Sequence, residues 1–169
     1  LSLQGISTGA NAFANDLVGP ITVGGYIGSI DARFSDVLAP ITAGVNATTG
    51  VGIGRLQAHD ILSNVSTTGN IGQVVAEDLL GSITAATSFG GLSLSGNLIG
   101  AARAGTSFSS LSVDGRFAGL VEAGSIGDTV VNGSQFTGTL HATTGNIGNI
   151  LVSRATTGFN GHVVSDAGS

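Results

Sequence analysis

Three ionisable side chains recur at equal steps along the chain. Arg103, Glu122 and His141 each follow the last by nineteen residues. Histidine and carboxylates are the residue types of metal and acid–base sites, but such a site needs side chains that converge in a cleft. Equal steps in a repeating structure place side chains in a row on one face instead. We therefore predict a surface charge ladder at these three residues and no catalytic or metal site.

A similar column is predicted at Arg33, His59 and Glu77, with Asp78 beside it. Neighbouring side chains in such a column can pair from one strand to the next. Exposed ion pairs of this kind contribute only about 0–1 kcal/mol each. The column predicts a modest structural role.

Calcium binding by repeats is not supported by the distribution of aspartates. A calcium-binding β-roll places an aspartate in every turn, because the ion needs several oxygen ligands. Asp31 and Asp114 occur singly. The corresponding positions in other repeats hold Gln57, Ser93 and Val130.

Enzymatic and ice-binding functions are alternatives with less support. A polysaccharide-cleaving β-helix would cluster carboxylates, and among ten acidic residues only Glu77 and Asp78 suggest such a pair. An ice-binding face would need regular threonine rows, which the mixed column of Ser66, Thr84 and Arg103 does not provide. We predict no enzyme activity, no catalytic residue and no cofactor. Three glycosylation sequons begin at Asn46, Asn64 and Asn132, a number expected by chance in a chain so rich in serine and threonine.

Composition narrows the classes further. Charged residues make up 9% of the 169 residues, and the net charge is −5. With no basic patch to hold phosphates, we expect no nucleic-acid partner. The absence of cysteine excludes disulfides and thiolate metal sites. No apolar run approaches the length of a membrane span.

An internal repeat must position these side chains. The motif Ile53-Gly-Arg-Leu56-Gln-Ala58 returns as Ile71-Gly-Gln-Val74-Val-Ala76, eighteen residues later. Later copies begin at Phe89, Phe108, Ile126 and Ile147, and an earlier one at Ile27. A weaker half-repeat follows each copy after about nine residues. Its copies begin at Val18, Leu38, Leu62, Leu80 and Ile99, and most end in a small residue.

The pattern inside each half-repeat is that of a strand followed by a corner. Apolar residues at the fourth and sixth positions flank a mostly polar one, which is strand alternation. Tracts such as Thr67-Thr68-Gly69-Asn70 tolerate the backbone angles of tight corners. Pro20 and Pro40 share one position, which is expected to be a corner because proline cannot donate to a ladder.

We predict an all-β fold in which residues 1–169 form a single domain, a parallel β-solenoid. Its coils of 18–19 residues would bury about six side chains each and begin near Leu3, Ile27, Ile53, Ile71, Phe89, Phe108, Ile126 and Ile147. Loop insertions are expected near residues 10–15 and 45–51. A right-handed winding is favoured, because the six-residue apolar rule of left-handed hexapeptide helices fails at Ile53, His59 and Val65.

The motif Ile-Gly-x-Ile-x-Ala and the Gly-Asn-Ile-Gly junctions at Gly69–Gly72 and Gly145–Gly148 resemble repeats of secreted bacterial surface proteins. The resemblance is to adhesin, autotransporter-passenger and fibre-type solenoids. It implies a structural role outside a bacterial cell and transfers no functional residue. The competing class is a carbohydrate-binding or carbohydrate-cleaving β-helix such as a tailspike, with a surface glycan as partner.

The chain ends suggest a mode of assembly. The apolar pattern begins almost at Leu1 and continues nearly to Ser169, with no charged capping segment in sequence. Because solenoid ends expose apolar faces and unpaired edges, we expect either a longer parent chain or end-to-end self-association.

Overall fold

The structure, a computed structural model, describes residues 16–154 and 159–167. These residues form strands and turns, and none of them lies in a helix that could cross a membrane. The strands are β1 (Ile21–Val23), β2 (Ile27–Ala32), β3 (Ile41–Ala43), β4 (Val51–Ala58), β5 (Asp60–Ile61), β6 (Asn64–Thr67), β7 (Asn70–Ala76), β8 (Asp78–Leu79), β9 (Ser82–Ala85), β10 (Ser88–Leu94), β11 (Ala101–Ala104), β12 (Ser107–Val113), β13 (Leu120–Ala123), β14 (Ser125–Val131), β15 (Thr139–Ala142), β16 (Ile150–Val152) and β17 (His162–Ser165).

The strands stack in parallel as a β-solenoid, which confirms the predicted fold class. One face has eight strands in the order β1-β3-β6-β9-β11-β13-β15-β17. The other has seven, in the order β16-β14-β12-β10-β7-β4-β2. The described stack therefore has about seven turns rather than eight. The expected coil near Leu3 and the insertion near residues 10–15 lie outside the described residues.

The predicted register between coils is confirmed at the first large residue of the repeat motif. Ile53 pairs with Ile71, Ile71 with Phe89, and Phe89 with Phe108. The rings of Phe89 and Phe108 stack with centroids 4.5 Å apart. Each coil thus covers the apolar residues of the coil before it.

A third, narrower stack joins the two faces. We call it the bridge column, and its members are Leu17, Val37, Ile61, Leu79, Leu98, Phe117, Phe136 and Phe159. All are buried except Leu17, which is half-buried, and Phe159, which is 50% exposed. From Val37 to Phe136, each bridge residue follows the long strand of its coil and precedes the next strand of the eight-stranded face.

The core is one continuous cluster inside these three stacks. A central coil contributes six inward side chains, as predicted: Ile71, Val74, Ala76, Leu79, Ile83 and Ala85. One inward column of the eight-stranded face consists of small side chains, since Ala85, Ala104, Ala123 and Ala142 are all buried there.

The predicted insertion near residues 45–51 is a loop over residues 44–50, and Val51 already belongs to β4. Asn46 organises this loop, because its Oδ1 accepts the backbone N–H groups of Thr48 and Thr49 at 2.9 and 3.2 Å. Gly50 closes the loop with a φ of +72°, which favours glycine. Pro20 and Pro40 lie immediately before β1 and β3, outside both strands, as expected.

Candidate functional site

The charge ladder predicted at Arg103, Glu122 and His141 is present on the outer side of the eight-stranded face. Arg103 is in register with Glu122, and Glu122 with His141. Arg103 Nε lies 3.8 Å from Glu122 Oε1, and His141 Nδ1 lies 3.4 Å from Glu122 Oε2. The side chains form a row on the surface rather than a converging cleft.

Asp166 extends this ladder beyond the predicted residues. Its Oδ2 lies 2.8 Å from His141 Nε2, so the imidazole bridges two carboxylates. The hydrogen bond to Asp166 raises the pKa of His141, with a smaller contribution from Glu122, while partial desolvation opposes the rise. An imidazole that bridges two carboxylates donates to both only when it is protonated.

His59 is the centre of a second cluster. Its Nδ1 lies 2.9 Å from Asp36 Oδ1 and 3.7 Å from Asp60 Oδ2, and its Nε2 lies 3.1 Å from Glu77 Oε2. The hydrogen bond to Asp36 raises the pKa of His59, and the charges of the neighbouring carboxylates add to it against partial desolvation. The predicted pairing of His59 with Glu77 is therefore confirmed.

Arg33 lies in the turn after β2, beyond the last register pair of Ala32 with Ala58, and does not pair with His59 as predicted. Its guanidinium binds Asp31 at 2.7 Å and contacts Gln57 at 3.2 Å. The physical reason is a longer corner: five steps separate Ala32 from the bridge residue Val37, and the extra turn carries the side chain away. The bond to Arg33 lowers the pKa of Asp31.

A ladder of aspartates along one corner is the feature that sequence reasoning missed. Each member precedes a bridge residue, and one of its side-chain oxygens accepts the backbone N–H of the equivalent residue in the next coil. We call it the carboxylate ladder; its members are Asp16, Asp36, Asp60 and Asp78, and Asn97 continues it with an amide. The recurring pair of an aspartate followed by a large aliphatic residue is the sequence signal that predicts it.

The carboxylate ladder provides hydrogen-bond acceptors for backbone N–H groups at a corner that lies outside the two main sheets. Asp16 Oδ1 accepts from Asp36 N at 3.0 Å, and Asp36 Oδ1 accepts from Asp60 N at 3.2 Å. The stacking also brings like charges together. Desolvation raises the pKa of Asp60 above its usual value, and the charges of Asp36 and Asp78 add to the rise.

Asp36, His59 and Asp60 are the group that comes nearest to a metal site in the described part of the chain. Their ligand atoms lie within 4.8 Å of one another. The same atoms are already paired, since Asp36 Oδ1 accepts from both His59 and the Asp60 amide. Hydrogen bonding accounts for this arrangement, and an ion would have to displace it. The two isolated aspartates considered for calcium, Asp31 and Asp114, pair with Arg33 and Asn132.

Two shallow depressions open on the described surface, each about 210 Å³ in volume. Both are smaller than the ~300–1,000 Å³ of typical small-molecule sites. One lies on the seven-stranded face among Gly91, Ser93, Ser110 and Ser112. The other lies beside Arg33, His59 and Glu77. Neither gathers the buried, convergent polar groups that orient a substrate.

No protein-family model matches the chain, and no curated protein or solved structure matches it either. The geometry of the solenoid and the pattern of its repeats are therefore what bears on its function.

Proposed function

We propose that this chain is an extracellular structural β-solenoid of a bacterial surface, a segment of a fibre or adhesin stalk that assembles head to tail. The likeness of its repeats to those of secreted surface solenoids supports the location. The structural role is supported by the contacts of the side chains, which mostly join one coil to the next. Ion pairs and hydrogen bonds run from coil to coil along the described stack, and Phe89, Phe108, Phe117 and Phe136 are buried rather than offered to a sugar.

The observation that carries the proposal is the exposed inner column at the last described coil. Val163 of β17 lies in register with Leu140, which is completely buried, yet Val163 is 43% exposed. Phe159 is likewise 50% exposed, although it stacks on the fully buried Phe136 at 4.5 Å. These side chains occupy core positions, and a further coil above them would bury them.

Strand edges point to the same kind of contact. At the C-terminal end of the described stack, β17 and β16 each pair on one side only. Open parallel edges carry unpaired N–H and C=O groups that template another strand. A second copy placed end to end would continue both faces, and because this contact is heterologous it would propagate rather than close.

Filament formation by the purified chain tests the proposal. We expect electron microscopy to reveal filaments of uniform width whose number grows with protein concentration. Analytical ultracentrifugation should record the same growth as a shift to larger species. A chain that stays monomeric at high concentration would rule out head-to-tail assembly.

Two adjacent positions in β17 provide a matched pair of variants. Val163→Asp places a charge on the inward column, where it would be buried by the next copy, and should abolish filaments. Val164→Asp places the same charge on the outer side, in register with His141, and should leave them intact. Equal effects of the two substitutions would contradict stacking through this end.

A further inference from the structure

A line of exposed aliphatic side chains runs along the side of the solenoid. We call it the aliphatic column; it comprises Val18, Leu38, Leu62, Leu80 and Ile99, which are 74%, 43%, 43%, 45% and 49% exposed. Successive members lie in successive coils, since the amides of Leu38, Leu62 and Leu80 donate to Leu17, Val37 and Ile61. The column covers four coil-to-coil steps, or about 19 Å at ordinary strand spacing.

The fold does not require aliphatic residues at these positions. The bridge residue immediately before Leu38, Leu62, Leu80 or Ile99 takes the inward place and is completely buried, and Leu17 before Val18 is half-buried. The same outward position in the later coils holds Ala118, Thr137 and Asn160, with the same backbone hydrogen bonds. The solenoid therefore accepts small and polar side chains where it presents Leu62 and Leu80.

The carboxylate ladder runs alongside this column. Asp60 and Leu62, like Asp78 and Leu80, stand two residues apart on either side of a completely buried bridge residue; each leucine is exposed and each aspartate is partly exposed. Glu77 adds a further exposed carboxylate beside Asp78. Of the cations beside the early coils, His59 is already engaged by its cluster and Arg33 binds Asp31.

Both columns are confined to the early coils of the solenoid. After Asn97 and Ile99, the equivalent positions hold Arg116 and Ala118. The acidic row ends at Asp78, where Asn97 follows with an amide, and the apolar row ends one coil later, at Ile99. In the four coils of Asp16, Asp36, Asp60 and Asp78 each ladder carboxylate has an exposed aliphatic residue two positions later, which offers one ligand both a charged and an apolar contact.

The shape of the combined surface indicates what it would bind. A strip about 19 Å long and one aliphatic side chain wide is narrow for a globular partner, which buries about 800 Å² on each side. It matches a single helix of about thirteen residues, at 1.5 Å of rise per residue. A second copy of this acidic chain would bring its own carboxylate ladder toward the first, which like-charge repulsion opposes.

We propose that the carboxylate ladder and the aliphatic column together form a docking strip for a cationic amphipathic segment of another polypeptide. Its apolar stripe would cover Leu62, Leu80 and their neighbours, and its lysine or arginine side chains would face the aspartates. The docking strip lies on the side of the stack, whereas the proposed assembly contact lies at the ends of the stack. Experiments on one proposal therefore do not decide the other.

A pair of synthetic peptides tests the strip directly. The probe is a fluorescein-labelled fourteen-residue helical peptide of leucine and lysine with leucines along one stripe, and its counterpart has glutamate at every lysine. We expect fluorescence anisotropy to show binding of the lysine peptide that weakens as salt increases. The glutamate peptide should not bind. Equal binding of both peptides, or of neither, would overturn the proposal.

The chain supplies conservative variants for each row. Leu62→Thr with Leu80→Thr introduces the residue found at Thr137, and should weaken peptide binding at least tenfold. Asp60→Asn with Asp78→Asn introduces the residue found at Asn97, which keeps the ladder acceptor. This variant should weaken binding severalfold and flatten its salt dependence. If either double variant binds as tightly as the natural sequence, the proposal fails.

The matched control is Leu151→Thr, which removes an aliphatic side chain that is 58% exposed on the seven-stranded face. It should bind the lysine peptide like the natural sequence, and circular dichroism with urea unfolding should show all variants folded. A similar loss in Leu151→Thr would mean non-specific adsorption and overturn the proposal. Lateral dimers that Leu62→Thr with Leu80→Thr abolishes would assign the strip to a second copy instead.

Discussion

Asp60 Oδ1 accepts the backbone N–H of Asp78 at 3.0 Å, and these residues occupy the same position in consecutive coils. Each side chain in the carboxylate ladder thereby supplies an acceptor that the backbone lacks at that corner. The arrangement holds the bridge column against the core, since Ile61 and Leu79 follow directly and are both buried. It also stacks like charges, which makes the ladder sensitive to substitution and to pH.

Removing the acceptor should cost stability, while removing only the charge should not. We expect Asp60→Ala to lower the free energy of unfolding by about 1–2 kcal/mol, because the Asp78 amide loses its partner. Asp60→Asn keeps an oxygen acceptor and relieves the desolvation that raises the pKa of Asp60, so it should be neutral or stabilising at pH 7. Urea unfolding of both variants measures the difference. A loss in Asp60→Asn as large as in Asp60→Ala would contradict this account.

The His59 cluster should make stability decrease as pH rises. The pKa of His59 is raised above its ordinary value of 6.5, chiefly by the hydrogen bond to Asp36. The charged imidazole is thus favoured in the folded state. Its contribution is fully present below pH 6.5 and is lost as the pH rises through the higher folded-state pKa. Because the side chain is half exposed, we expect an effect below about 1 kcal/mol.

Proton NMR titration of the His59 ring measures this pKa directly. Asp36→Asn should bring it back toward 6.5, since the carboxylate that accepts from Nδ1 becomes an amide. An unchanged titration in Asp36→Asn would show that the contact with Asp36 does not govern the ring.

Replacing Thr129 by valine should stabilise the protein. Thr129 is completely buried, and its Oγ1 finds no hydrogen-bond partner among the described residues. Its neighbours in the same column are Leu111 and Ile150. Valine has nearly the same shape and removes the unpaired hydroxyl, so we expect a gain of about 1–2 kcal/mol. Thr42→Val, at an exposed position, is the control for unfolding measurements and should change little.

The phenylalanine stack should be a major source of stability. Phe108 is 1% exposed and stacks on Phe89, so Phe108→Ala should destabilise the protein by about 3–5 kcal/mol. Phe34→Ala removes a side chain that is 68% exposed and should stay within about 0.5 kcal/mol of the natural sequence. Comparable losses in the two variants, measured by urea unfolding, would argue against a core built on coil-to-coil stacking.

Replacing the buried Gly133 should destabilise the protein, because the next coil lies too close for a side chain. A Cβ added to Gly133 would lie 1.5 Å from the carbonyl oxygen of Gly115 in the coil below. Backbone cannot yield as a flexible side chain can, so Gly133→Ala should cost about 1–3 kcal/mol. Gly28→Ala meets nothing within 4 Å and should leave the melting temperature almost unchanged. A harmless Gly133→Ala would contradict this close approach.

The periodic sequence by itself determined the class of fold, the register of Ile53, Ile71, Phe89 and Phe108, and the rows that pair Glu122 with Arg103 and His141. These follow from local strand alternation repeated at a constant step, because equal spacing in sequence becomes vertical stacking in a solenoid. The predicted right-handed winding remains a prediction, since it concerns the path between strands rather than their spacing.

Only the tertiary structure decided which residue of each corner faces the core. The half-repeat pattern marks Leu62, Leu80 and Ile99 as its first residues, but the residue before each one takes the inward place because a bridge column lies between the two main faces. That displacement turns Leu80 outward beside Asp78. The tertiary structure likewise decided the partner of Arg33. The corner that contains Arg33 is two residues longer than the same corner in the next coil, and the periodicity of the sequence does not tell where a side chain in such a corner points.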